Sequence, residues 1–373
     1  MRSRPQGRVD RGMRLLLINF EMDADSPVLA WQESLATRLC RETDFTLVLT
    51  EKIGRCQPPE NMHLHVLRRR PFQIPWRFGG GYLLNPQVHA LCRQREVNAC
   101  FVHMNHRWLV WLRPALERLQ LPILLWYAHG TVTPSLRTAL EVASRVVTSS
   151  PEGFRIPSSK VRIIGQGIDS DLFDIPASVS ERNDILYVGR MSRRKRINLL
   201  LETFHHMRKS PAASQIRLRL IGPELTRDDV VYGDEMRRLS AALGLQEVVD
   251  FVGPVRPQEL PSYHASAFLH LNVSRTGSMD KTVLEALSCG CPALTSNEAF
   301  FAMLEDRPEF IVRDERPEAI AAQALQLYAQ RNAVDRQTLR KLVVGRHDLN
   351  HYAEQILENL RDLRADMVSS LKG

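Results

Sequence analysis

The 373-residue chain contains no uninterrupted apolar run of the roughly 18 residues that a membrane-crossing helix requires. It also lacks the opening of a secreted protein. Residues 1–12 are polar and arginine-rich, and the apolar run at 15–18 is too short for a secretory core, so it is expected to form a first strand instead. Gly12-Met13-Arg14-Leu15 is the more natural beginning, with 1–12 expected as a disordered tail or a start-site artefact. The six cysteines, Cys40, Cys56, Cys92, Cys100, Cys289 and Cys291, are scattered. None has metal-ligand spacing, and the Cys289/Cys291 pair is too tight for a zinc clip. Reduced thiols in a cytoplasmic protein, with no metal site, are the expectation. There is no internal repeat, no low-complexity tract, no helix-turn-helix signature and no interleaving of aromatic and basic residues on strands, which argues against nucleic acid as a partner.

What the chain does have is a globular composition, 44% hydrophobic, and a length that favours two domains over one core. A formal charge of +8 and a pI near 9.4 call for an acidic partner. Arginines cluster at Arg68-Arg69-Arg70, ahead of the aromatic stretch 71–78 with Phe72, Trp76 and Phe78. Such a stretch suits the headgroup layer of an anionic membrane; a solvated basic loop is the competing reading.

Apolar runs alternate with amphipathic stretches. Strands are expected at 14–20, 45–50, 63–67, 99–103, 122–127 and 145–148, and helices at 29–40, 86–95, 109–119 and 134–142. This βαβ alternation predicts an α/β fold with parallel sheets covered on both faces. Periodicity lapses between about 165 and 183, then a second alternating series begins at Ile185. The expected organisation is an acceptor-binding Rossmann-like domain at 13–170, a hinge at 171–184, a nucleotide-sugar-binding Rossmann-like domain at 185–350, and a terminal helix at 351–373.

Two segments carry the chemistry. In the first, an apolar run ends at Asn272, Thr276-Gly277-Ser278 forms a turn, and a helix opens at Lys281. Free N–H groups and the positive end of the helix dipole favour a phosphate there. Glu285, one turn in, has a carboxylate able to grip vicinal hydroxyls. In the second, Ile185-Leu-Tyr-Val-Gly189 is followed by Arg190 and Lys195 at a helix entry, two cations suited to a diphosphate. A strand end at Tyr127-Ala128-His129-Gly130 and another at His103-Met-Asn-His106 bring histidines to the first half, and Asp23 and Asp25 form an Asp-x-Asp pair after the first strand.

The two charged segments together resemble the donor-binding half of the family 4 glycosyltransferases. Residues 161–173, 218–222 and 249–255 extend the resemblance in the family's order. It implies a GT-B fold, two Rossmann-like doubly wound domains facing across a cleft, and retaining, metal-independent transfer from a nucleotide-diphosphate sugar to a glycan or lipid-linked acceptor. Arg190, Lys195 and Lys281 are then expected at the donor diphosphate and Glu285 at the ribose. Gly253, Pro254, Val255, Gly277, Ser278 and Met279 are expected along the donor loops. His129 and Asp280 are expected at the transferred sugar, with Asp23, Asp25, His103 and His106 on the acceptor side.

The resemblance calls for no cofactor beyond the donor, UDP- or GDP-linked, and for work in the cytoplasm, at the inner membrane face where the basic stretch engages lipid. The family usually carries a Glu eight residues before position 285; Gly277 stands there, and Asp280-Lys281 replaces small or apolar residues. These departures leave the donor sugar and acceptor open. A GT-B sugar-nucleotide epimerase, a degenerate transferase subunit and a basic protein binding nucleic acid or an anionic surface are the competing readings.

Overall fold

The computed structural model describes residues 10–67, 80–176 and 182–370; the basic aromatic stretch at 68–78 lies outside them, as do residues 1–9 of the expected tail. The chain divides into two compact units, Met1–Gly165 with Leu349–Gly373, and Gln166–Asp348. The division at Gly165 lies ahead of the expected hinge at 171–184. Residues within that stretch belong to the second unit, where Phe173 is buried against Leu186 and Ala286.

In the first unit the elements run β1 (Asp10–Ile18), β2 (Glu21–Met22), α1 (Ala30–Arg41), β3 (Thr43–Thr50), β4 (Lys52–Ile53), β5 (Met62–Val66), α2 (Asn85–Gln94), β6 (Ala99–His103), α3 (Arg107–Trp111), α4 (Arg113–Leu119), β7 (Ile123–Trp126), α5 (Pro134–Val142), β8 (Arg145–Thr148) and β9 (Val161–Ile163). The main sheet has the order β5-β3-β1-β6-β7-β8-β9, parallel in every described pair, with Leu17 opposite Val48 on one side and Phe101 on the other. Successive side chains of a strand point to opposite faces. Leu16 and Ile18 accordingly enter one core with Val102 and Trp108, while Leu15 and Leu17 enter another with Leu35 and Tyr352.

Three local expectations need correction. Asp10–Gly12 are strand rather than tail, and the Gly12 amide donates to Asp44 Oδ2 at 2.8 Å. The helix expected at 109–119 is two, α3 and α4, broken at Leu112 ahead of Pro114, because proline has no N–H to donate and its ring clashes with the preceding turn. The small β2–β4 sheet has too few residues to show a period.

The second unit runs β10 (Asp184–Val188), α6 (Ile197–Arg208), β11 (Arg217–Ile221), α7 (Arg227–Ala242), β12 (Val249–Gly253), α8 (Leu260–Ser266), β13 (Ala267–Asn272), α9 (Lys281–Ser288), β14 (Ala293–Thr295), α10 (Pro317–Ala329) and α11 (Arg336–His347). Its parallel sheet has the order β12-β11-β10-β13-β14. The last helix, α12 (Leu349–Ser370), belongs to the first unit, where Tyr352, Ile356 and Leu360 pack with Leu15 and Leu17. Among the described residues no helix is long and apolar enough to cross a membrane.

Each sheet reverses its strand order once, between β1 and β6 in the first unit and between β10 and β13 in the second. Doubly wound sheets bind ligands outside the carboxyl ends of their strands at such a point.

Candidate functional site

In the second unit, β10 runs into Gly189 and then Arg190. The turn packs against the end of β11 so closely that a Cβ on Gly222 would stand 1.9 Å from the Gly189 carbonyl oxygen. Glycine at 222, with φ of +145°, is what allows the two strand ends to touch. Arg190 leaves this junction toward α7. Its Nε donates to Asp229 Oδ2 at 2.7 Å, and Nη2 lies 3.4 Å from Thr226 Oγ1. Asp229 is also the third residue of a reciprocal cap in which Thr226 Oγ1 accepts from the Asp229 amide at 3.2 Å and Asp229 Oδ2 accepts from the Thr226 amide at 3.0 Å. Burial opposes ionisation of this carboxyl, but Arg190 and Thr226 outweigh it and hold the pKa below the usual value.

Lys195 turns the other way, toward the end of β13. Its Nζ lies 2.6 Å from Asp280 Oδ1. The second Asp280 oxygen accepts from Asn272 Nδ2 at 3.0 Å and from the Ser274 hydroxyl, with Asn297 Nδ2 at 3.5 Å. Burial raises the Asp280 pKa, yet Lys195 and these donors bring it below the ordinary carboxylate range. The two cations, expected to converge, are thus held on opposite sides of the β10 end. Asp280, expected at the transferred sugar, has both oxygens engaged within the protein.

Lys281 opens α9 and donates from Nζ to the Gly167 carbonyl rather than pointing along the helix axis. Glu285 stands one turn later on the same helix, half-buried. Burial pushes the Lys281 pKa down and the Glu285 pKa up, each opposed by the charge of the other. Of the expected donor-loop residues, Met279 is buried in the core beside Val283, so its side chain faces protein. Gly277 has φ of +70°, a conformation that a glutamate would adopt only with strain. Ser278 offers its carbonyl to Asn297 Nδ2 at 2.8 Å. Gly253, Pro254 and Val255 follow the edge strand β12, and the Gly253 carbonyl accepts from the Gly222 amide at 2.9 Å.

In the first unit, a cavity of about 500 Å³ opens beside the ends of β1, β6 and β7, lined by Phe20, Glu51, Met104, His106, Trp111, Trp126, Tyr127 and His129 among others. His106 Nε2 is 2.9 Å from Ser135 Oγ, and its ring meets Tyr127 edge-on at 5.2 Å. Burial, reinforced by Arg107, lowers its pKa to about 4, so the ring is neutral near pH 7. His129 accepts from the Thr131 amide through Nδ1 at 3.1 Å.

The other acceptor-side expectations lie apart from this cavity. His103 is buried, with ring centroids 4.7 Å from Trp31 and 5.0 Å from Trp126. Asp23 and Asp25 are tied into the β2–β4 sheet, Asp23 with Lys52 at 3.6 Å and Asp25 with Arg55 Nη2 at 2.6 Å. Among the described residues no group of three or more His, Cys, Asp or Glu side chains could hold a metal ion.

Two parts of these sites escape the sequence reading. The Thr226-x-x-Asp229 cap has a spacing that could have been recognised; its second task, holding Arg190, joins residues 39 apart. The aromatic wall of Phe20, Trp111 and Trp126 has no local signal, because its members come from three elements.

The second unit is therefore a doubly wound sheet with paired charges at its switch point, and known proteins share it. Residues 182–330 match the family described as Glycosyl transferases group 1, so the chain carries a glycosyltransferase domain of that group. Mannosylfructose-phosphate synthase of Agrobacterium fabrum is 22% identical over 191 residues, 48% of this chain and 40% of that protein. GDP-mannose:cellobiosyl-diphosphopolyprenol alpha-mannosyltransferase of Xanthomonas oryzae is 26% identical over 234 residues, 60% of each. The chain thus spans between 40% and 60% of the length of these two relatives. Among solved structures, HepE of Anabaena with UDP and glucose matches with a TM-score of 0.74 at 16% identity, over 94% of this chain and 100% of that one. Sucrose-phosphate synthase of Thermosynechococcus elongatus matches with a TM-score of 0.75 at 19% identity, over 95% and 100%. The fold is GT-B.

Proposed function

We propose that the protein transfers a sugar from a nucleoside diphosphate sugar to a glycan or lipid-linked acceptor, with retention of configuration and without a metal. The observation that carries this reading is the placement of Arg190 and Lys195 at the strand ends that flank the switch point of a group 1 glycosyltransferase domain, ahead of the first turn of α9. A departing nucleoside diphosphate gains negative charge, and fixed cations stabilise it without having to reorganise. The first turn of α9 adds N–H groups and the helix dipole, and Glu285 takes the ribose hydroxyls. In this reading Asp280 holds Lys195 ready rather than touching the sugar.

The acceptor belongs to the first unit. A cavity walled by Phe20, Trp111 and Trp126, with Glu51, neutral His106 and His129 as polar groups, suits a sugar ring, whose faces are apolar and whose edge carries hydroxyls. Among the relatives, one is named for GDP-mannose and a diphosphopolyprenol acceptor, and one structure holds UDP-glucose. UDP- and GDP-linked donors are the two candidates. The basic aromatic sequence at 68–78 supports a place at the cytoplasmic membrane surface.

The test is a thermal-shift series with UDP, GDP, UDP-glucose and GDP-mannose, since a ligand that binds only the folded state raises the melting temperature. No shift with any of the four contradicts the reading. Sugar release from the donor alone, with no acceptor-dependent product, points to an epimerase or hydrolase. Activity lost in chelator and restored by magnesium or manganese contradicts metal independence.

A further inference from the structure

Lys281 is in a costly place. It occupies the first position of α9, where the positive end of the helix dipole disfavours a cation. It precedes Glu285 by four residues, the less favourable order for a helical ion pair, and it is half-buried. Its ammonium nevertheless has a specific environment. It donates to the Gly167 carbonyl, faces Asp169 on the segment that enters the second unit, and shares one face of α9 with Glu285.

That entering segment is itself pinned along α9. Gln166 Nε2 lies 3.5 Å from the Met279 carbonyl, and Ser288 Oγ donates to the Phe173 carbonyl at 2.6 Å. Arg340 Nη1 donates to the Phe173 and Ser288 carbonyls at 2.8 and 3.1 Å. The lysine is therefore held by a fixed carbonyl rather than swinging in solvent.

We propose that Lys281 is a positioning residue for Glu285: tethered to the Gly167 carbonyl, its ammonium keeps the Glu285 carboxylate charged and turned toward the hydroxyl pair of the donor. This rests on the donor-binding reading above and deepens it. Glu285 needs such a neighbour. Burial favours its neutral form, which can donate one hydrogen bond but no longer offers two charged acceptors to a diol. The other charges around α9 do not substitute. Lys195 is occupied by Asp280, Arg336 and Arg340 of α11 reach the carbonyls of Cys289 and Ser288 at the far end, and Cys289 contributes only a high-pKa thiol. Asp169 is an anion and would not hold Glu285 ionised without the lysine between them.

The experiment is titration calorimetry of the full chain with UDP and with GDP from pH 6 to 9, for the wild type, Lys281→Met, Lys281→Arg, Lys281→Gln and Glu285→Gln. Titration of the nucleotide itself is common to all five. Without the lysine, Glu285 stays protonated to higher pH. Lys281→Met should therefore bind about tenfold more weakly at pH 7, one pKa unit being one factor of ten, and recover by pH 9. Lys281→Arg should follow the wild type. Lys281→Gln, which can keep the Gly167 bond without the charge, should behave as the Met variant and stands in for it if Met disrupts folding.

Equal affinity of Lys281→Met, or of Lys281→Gln in its place, and wild type at every pH overturns the proposal. So does a loss that is independent of pH and repeats when Lys281→Met is added to Glu285→Gln, because the lysine would then act on phosphate directly. Absence of binding by the wild type would instead strike the donor-binding reading.

Discussion

The two units build the same kind of sheet and furnish its strand ends with opposite chemistry. At the switch point of the second, the side chains are ions in fixed pairs, Arg190 with Asp229 and Lys195 with Asp280. At that of the first they are rings, Phe20, Trp111, Trp126 and Tyr127, around histidine that burial keeps neutral. The backbone supplies a crevice at the carboxyl ends in both cases, and side chains decide what enters it. Paired charges suit a diphosphate, whereas a low-charge aromatic wall suits a sugar or a lipid-linked sugar. On the proposed function, donor and acceptor chemistry can thus be disturbed separately.

The largest effect should come from the charged side. Lys195→Ala removes one preorganised cation from the leaving group and should lower kcat/KM by about 2–4 kcal/mol in free-energy terms, with retained folding by circular dichroism. Steady-state kinetics at varied donor checks this. A loss in KM for acceptor alone would break the division between the units.

A second contrast lies in acid stability. His264 and His270 are fully buried in the second unit, their rings 5.8 Å apart, with no hydrogen-bond partner on any of their four ring nitrogens. Burial lowers the His270 pKa to about 3, below the unfolded value of about 6.5. A group whose pKa falls on folding binds more protons when unfolded, so its contribution declines as pH drops through the unfolded value. For one histidine with this shift the decline between pH 7.5 and 5 is about 2 kcal/mol. His270→Phe should remove that part of the slope in denaturant unfolding measured across this range. An unchanged slope would show that other groups set the acid sensitivity of the second unit.

How much of this was legible follows from how local each signal is. The alternation of apolar runs gave the α/β class and most strands, because a buried parallel strand is a continuous apolar segment. The charged loops after β10 and β13 were visible as strand, glycine and cation in succession. Their partners were not. Asp229 and Asp280 lie 39 and 85 residues from the cations they hold, and only the sheet order makes them neighbours. Lys281, placed on the phosphate by its position in the motif, bonds the Gly167 carbonyl instead. His103 and His106 look equivalent in sequence; the strand ends between them, so one enters the core and the other the cavity. Asp23 and Asp25 had the spacing of a ligand pair, but they answer to Lys52 and Arg55, brought up by a two-residue strand.

The aromatic side should yield a smaller effect than the lysine. Trp111 lines the cavity from the end of α3 and meets Trp108 edge-on at 5.2 Å. Trp111→Ala should raise the acceptor KM about five- to thirtyfold, about 1–2 kcal/mol, as for truncation of an aromatic anchor, and leave nucleotide affinity unchanged by calorimetry. A change in nucleotide affinity of similar size would mean that the ring serves the donor.

The smallest effect sharpens the comparison most, because it separates a charge from its positioning. Asp229 does two jobs, capping α7 and orienting Arg190. Asn at this position keeps a side-chain oxygen for the amides of Leu225 and Thr226, so the helix cap is largely retained, but the charge opposite Arg190 is gone. Asp229→Asn should weaken donor binding by about 1 kcal/mol, roughly fivefold, the scale of a charge-assisted bond to a partly exposed guanidinium. The loss should vanish in an Arg190→Ala background, since nothing then remains to be oriented. If the two losses add instead, Asp229 acts through the helix rather than the arginine, and the paired ions of the second unit are scaffolding in the same sense as the rings of the first.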